Sequence, residues 1–204
     1  MIRQMKEEDK HVLGLTLPTD PRWVNIASLQ MEDILIDHAY CEQKAASTCI
    51  SLIIQYPEKA KLVDILTPVV AEEWNHFERV LSELRKRGFA LGPQRKDEYV
   101  EKLNAVIKKG GNREQQLMEK LLMCALIEAR SCERFRLLSK QLDDQQLRDF
   151  YHELMVSEAG HYKNFLNLAK EYQPSAVVET RWRELLQQEG EIVSQLDVRA
   201  DRMH

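Results

Sequence analysis

Six side chains carry the chemistry that this sequence most needs to explain. Glu42, Glu73, Glu128 and Glu158 each interrupt an apolar stripe, and His76 and His161 follow two of them at i+3. The stripes read Leu35, His38, Glu42, Ala45, Cys49, Leu52, then Leu62, Leu66, Val69, Glu73, His76, Val80, Leu84. Two more read Leu117, Leu121, Cys124, Glu128, Ser131, Phe135, Leu138 and Leu147, Tyr151, Leu154, Glu158, His161, Phe165, Leu168. Each advances by three or four residues and so marks one face of a helix. A buried carboxylate without a counter-charge costs several kcal/mol or takes up a proton. Four of them on four core faces demand a shared cation, and no Lys or Arg lies on these stripes. A metal centre is the economical answer.

The spacing supports this independently. Glu42 lies 15 residues before Pro57 and Glu73 lies 16 after it, while Glu128 and Glu158 each lie 15 from Asp143. In an antiparallel hairpin, residues equidistant from the turn stand level. At a rise of about 1.5 Å per residue, each pair of carboxylates meets about 22 Å from its turn. The hairpins also repeat one another, with 86 residues from Glu42 to Glu128 and 85 from Glu73 to Glu158 and from His76 to His161. EWNH and EAGH are both Glu-x-x-His, whose side chains neighbour each other on one helix face.

The donors are oxygen-rich with two imidazoles, which suits iron or manganese better than structural zinc. Carboxylates able to bridge point to two metals, and open coordination positions that suit O2 favour iron. Ligands alone leave manganese open. One Glu from each of two helices plus Glu-x-x-His from each of two others is the ligand pattern of ferritin-like di-iron or di-manganese carboxylate proteins. His38, one turn before Glu42, reads equally as a support for that ligand or as a core histidine. Glu72 and Glu78 read as surface residues, Tyr151 as packing, and Cys49, Cys124 and Cys132 as small core residues. Arg130, Arg134 and Arg136 flank Glu128 on other faces, where surface pairing is the expectation.

These side chains need long helices to carry them. The chain has 204 residues with only 7 Gly and 6 Pro, enough for one domain with a full core and unsuited to a β-sandwich or barrel. Residues 1 to about 20 read as an irregular lead-in, with Asp20 and Pro21 opening a helix that nothing breaks before Tyr56. A second helix spans about 59–87, with a kink or break expected at Pro68. After a Gly-rich connector with a short helix near 97–108, further helices are expected over 113–140, 144–172 and 176–190. The result is all-α: a ferritin-like four-helix bundle with one long crossover and short extra helices, forming a single domain over residues 1–204. The charged N-terminus and the lack of a long apolar run argue against a secretion signal or a membrane span. Four cysteines without a CxxC pair read as reduced thiols in a cytoplasmic protein.

The segments DHAYCEQKAAS, EEWNHFERV, ALIEARSCERF and SEAGHYKNF resemble the bacterial tRNA 2-methylthio-N6-isopentenyladenosine hydroxylases. The resemblance runs from the LPTDPRW segment to the final helix. It implies a ferritin-like di-iron monooxygenase acting on a hypermodified adenosine beside the anticodon. By this resemblance Glu42, Glu73, His76, Glu128, Glu158 and His161 are the iron ligands, and all six motif positions are filled. The resemblance further implies O2 activation at two reduced irons and hydrogen abstraction from an isopentenyl methyl group. One oxygen atom then returns to that carbon and the other leaves as water. No Gly-x-Gly-x-x-Gly is present, so the electrons must come from a separate reductase or ferredoxin.

A tRNA substrate needs a phosphate-binding face. Nine basic residues between Arg85 and Arg113 (Arg85, Lys86, Arg87, Arg95, Lys96, Lys102, Lys108, Lys109, Arg113) face three acids there. This is a local surplus of +6 in a chain of net charge -4, which taken alone is also what a merely soluble connector shows. With the resemblance, Arg85, Lys86, Arg87, Arg95, Lys96, Lys108, Lys109 and Arg113 become candidates for holding the anticodon loop. The contrasting expectation is a ferritin-like iron-handling or peroxide-scavenging protein, which requires a shell-forming assembly. A monomer or dimer is expected of the tRNA enzyme. Assigning four of the 33 acids to a metal site leaves 29 acids against 29 bases elsewhere.

Overall fold

The computed structural model describes residues 13–199 and 201–203, and among them every regular element is a helix. In chain order these are α1 (Trp23–Ser28), α2 (Met31–Gln55), α3 (Ala60–Lys86), α4 (Glu98–Val106), α5 (Arg113–Gln141), α6 (Gln145–Tyr172) and α7 (Ser175–Ser194). Residues 13–20 are non-helical, as expected of the lead-in, and residues 1–12 lie outside the described residues. The chain divides into two compact units. One holds residues 25–97 and 199–203, and the other holds the chain up to Val24 together with Glu98–Val198.

In the first unit α2 and α3 form an antiparallel hairpin. Pro57 disfavours a helical conformation at Tyr56, which leaves the helix at φ −131° and ψ 51°, and the turn closes with Lys59 N donating to Tyr56 O at 3.0 Å. At the far end Gly88 adopts φ +77°, and Phe89 N donates to Leu84 O at 3.0 Å. This is the left-handed stop that only glycine adopts without strain. Of the kink or break expected at Pro68 the break does not occur, since α3 runs through it. In the same turn Thr67 Oγ1 donates to Val63 O at 2.7 Å. Arg202 and Met203 fold back onto this unit: Met203, fully buried, donates its N–H to Asp37 Oδ2 at 2.8 Å, and Arg202 Nε donates to Lys96 O at 3.1 Å.

In the second unit α5 and α6 form the other hairpin, with α4 and α7 packed against it. Asn112 and Gln115 make a reciprocal capping box at the start of α5, and the Asp144 side chain accepts from Gln146 N and Leu147 N at the start of α6. Two expected boundaries shift. The helix expected from Pro21 to Tyr56 is broken at Leu29 and Gln30, where Leu29 N and Gln30 N donate to Ile26 O and Ala27 O. Those i→i−3 bonds tighten and end α1 although no breaker residue is present. The last helix continues through Gly190 to Ser194. A Cβ at Gly190 would stand 2.5 Å from Thr16 Oγ1, so this glycine permits close packing of the lead-in and does not stop the helix.

Candidate metal centre

All four stripes face inward: every residue in them except Ala45 is buried. In the α2–α3 hairpin, Glu42, Glu73 and His76 are 4%, 1% and 4% exposed, and each offers one ligand atom within 4.8 Å of the others. His76 Nδ1 lies 3.6 Å from Glu42 Oε2 and 3.6 Å from Glu73 Oε2, so the expected register across the turn at Pro57 holds. His38, fully buried, places Nε2 2.6 Å from Glu42 Oε1 and thereby fixes how that carboxylate is turned.

The α5–α6 hairpin builds the same arrangement. Glu128, Glu158 and His161 are 6%, 1% and 1% exposed, again with one ligand atom each within 4.8 Å of the others. His161 Nδ1 lies 3.3 Å from Glu158 Oε2. Tyr151 packs between Phe135 and Phe150, with ring centroids 5.4 and 5.2 Å away. Cys132 donates its thiol to Met155 O, and burial, reinforced by the Glu158 carboxylate, pushes that thiol up to about 12. Cys41, beside Glu42, is likewise raised by burial and by nearby Asp37. No disulfide joins any of the four cysteines.

Each hairpin therefore presents two carboxylates and one imidazole, buried and clustered, at the positions that spacing predicts. Like charges so close in a low dielectric repel strongly, and a bound cation is what turns that repulsion into binding energy. The donor set fits a hard-to-borderline divalent metal such as iron.

The basic segment is less uniform than its composition implies. Arg85 and Lys96 are exposed, and Arg87 and Arg95 are half-buried. Lys86 and Arg87 reach buried Glu83 at 2.6 and 2.5 Å. Arg95 pairs with Asp33 and lies 3.7 Å from Asp201, and Lys108 reaches Glu184 at 3.0 Å. These acids lie outside residues 85–113, so the local surplus of +6 is an overcount. Lys109 and Arg113 are exposed in the unit of α4–α7, whereas residues 85–97 belong to the other unit.

The expectation of surface pairing fails at Arg130. It is fully buried, donating to Glu189 Oε1 at 2.9 and 2.7 Å, to Glu133 Oε2 at 2.5 Å, to Thr19 Oγ1 at 3.2 Å and to Leu17 O at 2.9 Å. Tyr99 donates to Glu189 at 3.1 Å. The lead-in, α4 and α7 cover this face of α5, which the sequence of α5 alone does not reveal. Arg134, half-buried with its guanidinium 4.6 Å from the Trp23 ring centroid, is held down to about 10 by burial and by Arg130 beside it. The signal that could have found the cluster is the Arg130–Glu133 spacing at i, i+3.

A family model described as tRNA-(MS[2]IO[6]A)-hydroxylase (MiaE) matches residues 4–204. The chain is 40% identical over 158 residues to the tRNA 2-(methylsulfanyl)-N(6)-isopentenyladenosine(37) hydroxylase of Pseudomonas putida, covering 78% of this chain and 76% of that protein. It is 26% identical over 210 residues to the protein of the same name from Salmonella typhimurium, covering 77% and 75%. Among solved structures it matches protein 43 with aldehyde deformylating oxygenase activity from Synechococcus, with a TM-score of 0.87 and 34% identity over 93% of this chain and 94% of that one. The all-α, ferritin-like class expected from the stripes is the class these findings support. Family match, curated relatives and paired Glu and Glu-x-x-His triads agree, and the chain belongs to the tRNA-(MS[2]IO[6]A)-hydroxylase (MiaE) family.

Proposed function

We propose that this chain is an O2-dependent monooxygenase that hydroxylates the isopentenyl side chain of a hypermodified tRNA adenosine beside the anticodon. The observation that carries the reading is a family match across nearly the whole chain, in which both hairpins bury a Glu, Glu-x-x-His triad. In this reading the chain is one domain over residues 1–204 that holds two irons. Glu42, Glu73 and His76 are the ligands from one hairpin, and Glu128, Glu158 and His161 those from the other. When bound, the irons supply the activation of O2 that no amino-acid side chain can provide.

The chain's own residues do the rest. His38 holds Glu42 through Oε1, leaving Oε2 toward His76. Val69, Val80, Leu154 and Phe165, buried on the same stripes, keep bulk water from the donors. One oxygen atom of O2 goes to the substrate carbon and the other to water, consuming two electrons and two protons. Those electrons come from a separate reductase or ferredoxin. Exposed Lys109 and Arg113, with Arg85 and Lys96, contact tRNA phosphates, while Lys86, Arg87, Arg95 and Lys108 do so only by leaving their present carboxylate partners. Among the described residues no helix is long and apolar enough to cross a membrane. A cytoplasmic monomer or dimer fits a tRNA substrate.

The test incubates reduced, iron-loaded protein with O2 and an anticodon stem-loop bearing the methylthio-isopentenyl adenosine, followed by nucleoside mass analysis. A nucleoside heavier by one oxygen atom is expected, with label incorporated from 18O2. A full complement of two irons per chain with no oxygenated nucleoside overturns the reading.

A further inference from the structure

The triads leave one large feature of the α4–α7 unit without a role. A cavity of about 720 Å³ opens between the Lys108–Gly111 loop, the first turns of α5 and the start of α7. Its frame is firmly tied. Arg181, 4% exposed, donates from α7 to Glu119 of α5 at 2.6 and 2.8 Å and to Val106 O at 2.9 Å. Lys108 N donates to the same Glu119 at 2.9 Å. The loop, α5 and α7 are thus joined through one buried carboxylate.

The wall also carries Glu184, a carboxylate already paired with Lys108 at 3.0 Å and Arg181 at 3.1 Å, as Glu119 is with Arg181. Beside these ion pairs, Lys109 is exposed and cationic at the rim, buried Met118 and half-exposed Val177 are apolar, and the Thr180 hydroxyl is an exposed hydrogen-bonding group. Gly110 and Gly111 both take left-handed backbone conformations, at φ 103° and 79°. Gly111 answers to the cap of α5, because a Cβ there would stand 2.4 Å from Gln115 Oε1. Gly110 has no such neighbour within 4 Å of its missing Cβ, so it leaves bare main chain at the wall that a ligand can approach closely. A cation, an apolar slot and a hydroxyl side by side suit a nucleotide: phosphate to the lysine, base plane to the apolar wall, sugar or base edge to the hydroxyl. Glu119 precedes Glu128 by nine residues on α5, about 13 Å along the helix, so this nucleotide is not the one being oxidised.

We propose that this cavity seats an unpaired nucleotide of the RNA substrate, a neighbour of the modified adenosine. The inference rests on the tRNA reading above. The test uses iron-loaded full-length protein and the modified anticodon stem-loop, with binding followed by fluorescence anisotropy across a salt series. Val177→Asp, which puts a charge in the apolar slot, raises Kd by about tenfold. Lys109→Ala lowers the slope of log K against log salt by about 0.7, the mark of one lost contact to a single-strand phosphate. A stem-loop carrying 4-thiouridine at its unpaired uridines crosslinks to peptides containing Met118 or Val177. Wild-type protein that binds the stem-loop while both variants match it, with crosslinks mapping elsewhere, overturns the inference and leaves the tRNA reading standing. Wild-type protein that fails to bind at low salt overturns both. Should Val177→Asp lose its helical circular dichroism, the Lys109→Ala slope and the crosslink map decide.

Discussion

Replacing Arg130 with Met keeps the length of the side chain and removes every donor. The guanidinium is fully buried between two carboxylates, so the substitution strands charge in the protein interior. Glu133 retains the N–H and hydroxyl of Thr19, at 2.8 and 2.6 Å. Glu189, 0% exposed, keeps the Tyr99 hydroxyl at 3.1 Å as its remaining hydrogen bond among the described residues. Breaking a buried pair by removing one partner costs about 3–5 kcal/mol. Burial already raises Glu189 above its ordinary value of 4.5 despite Arg130, and without Arg130 it rises further. Between 4.5 and that raised value the folded state holds a proton that the unfolded state has released. Stability of the variant therefore falls as pH rises through this window, by up to about 1.4 kcal/mol per pH unit. Urea unfolding followed by circular dichroism should show a small penalty near pH 5 and the full one near pH 8. Arg130→Met combined with Glu189→Leu should recover most of the loss at pH 8, because both members of the pair are then apolar. A penalty below about 1 kcal/mol at pH 8, or one identical at both pH values, would refute the reasoning.

Three further outcomes are expected. Glu128→Ala and His161→Ala should each lower bound iron below two per chain by elemental analysis while preserving helical circular dichroism, and full iron occupancy in both contradicts the ligand assignment. Gly111→Ala should lower stability by about 1–2 kcal/mol in urea, because the added Cβ meets Gln115 Oε1 at 2.4 Å and breaks the capping box at a left-handed residue. Cys132, held up to about 12, should resist iodoacetamide at pH 8 in the folded protein and react on unfolding, as read by mass spectrometry.

The parts of the site legible in the sequence were those set by local periodicity. Helical spacing alone placed Glu42, Glu73, His76, Glu128, Glu158 and His161 on inward faces, and equidistance from Pro57 and Asp143 brought each triad level. The expected starts of α5 and α6, at 113 and 144, also lie within a residue of those observed. What stayed hidden depends on partners distant in sequence. Arg130 looks like a surface residue until Glu189 covers it from 59 positions away, and Arg95 counts as free charge until Asp33 meets it. The break after α1 has no breaker residue, and the reason for a glycine at 190 inside α7 is Thr16, far away in the sequence. Pro68 shows the converse: a strong local signal that one long helix overrides.

The backbone hydrogen bond from Met203 to Asp37 also bears on how the protein is made. On the ribosome the α2–α3 hairpin emerges early, with Asp37 buried beneath residues that do not yet exist. Its cover arrives only after α4 to α7 have been synthesised. Until then the Asp37 carboxylate and the Lys96 carbonyl that Arg202 caps must be served by water or a chaperone. The first Glu, Glu-x-x-His triad to be translated thus belongs to a unit that also takes in residues from beyond α7. A nascent chain arrested after α3 would carry Glu42, Glu73 and His76 without the final brace of the helix that bears Glu42.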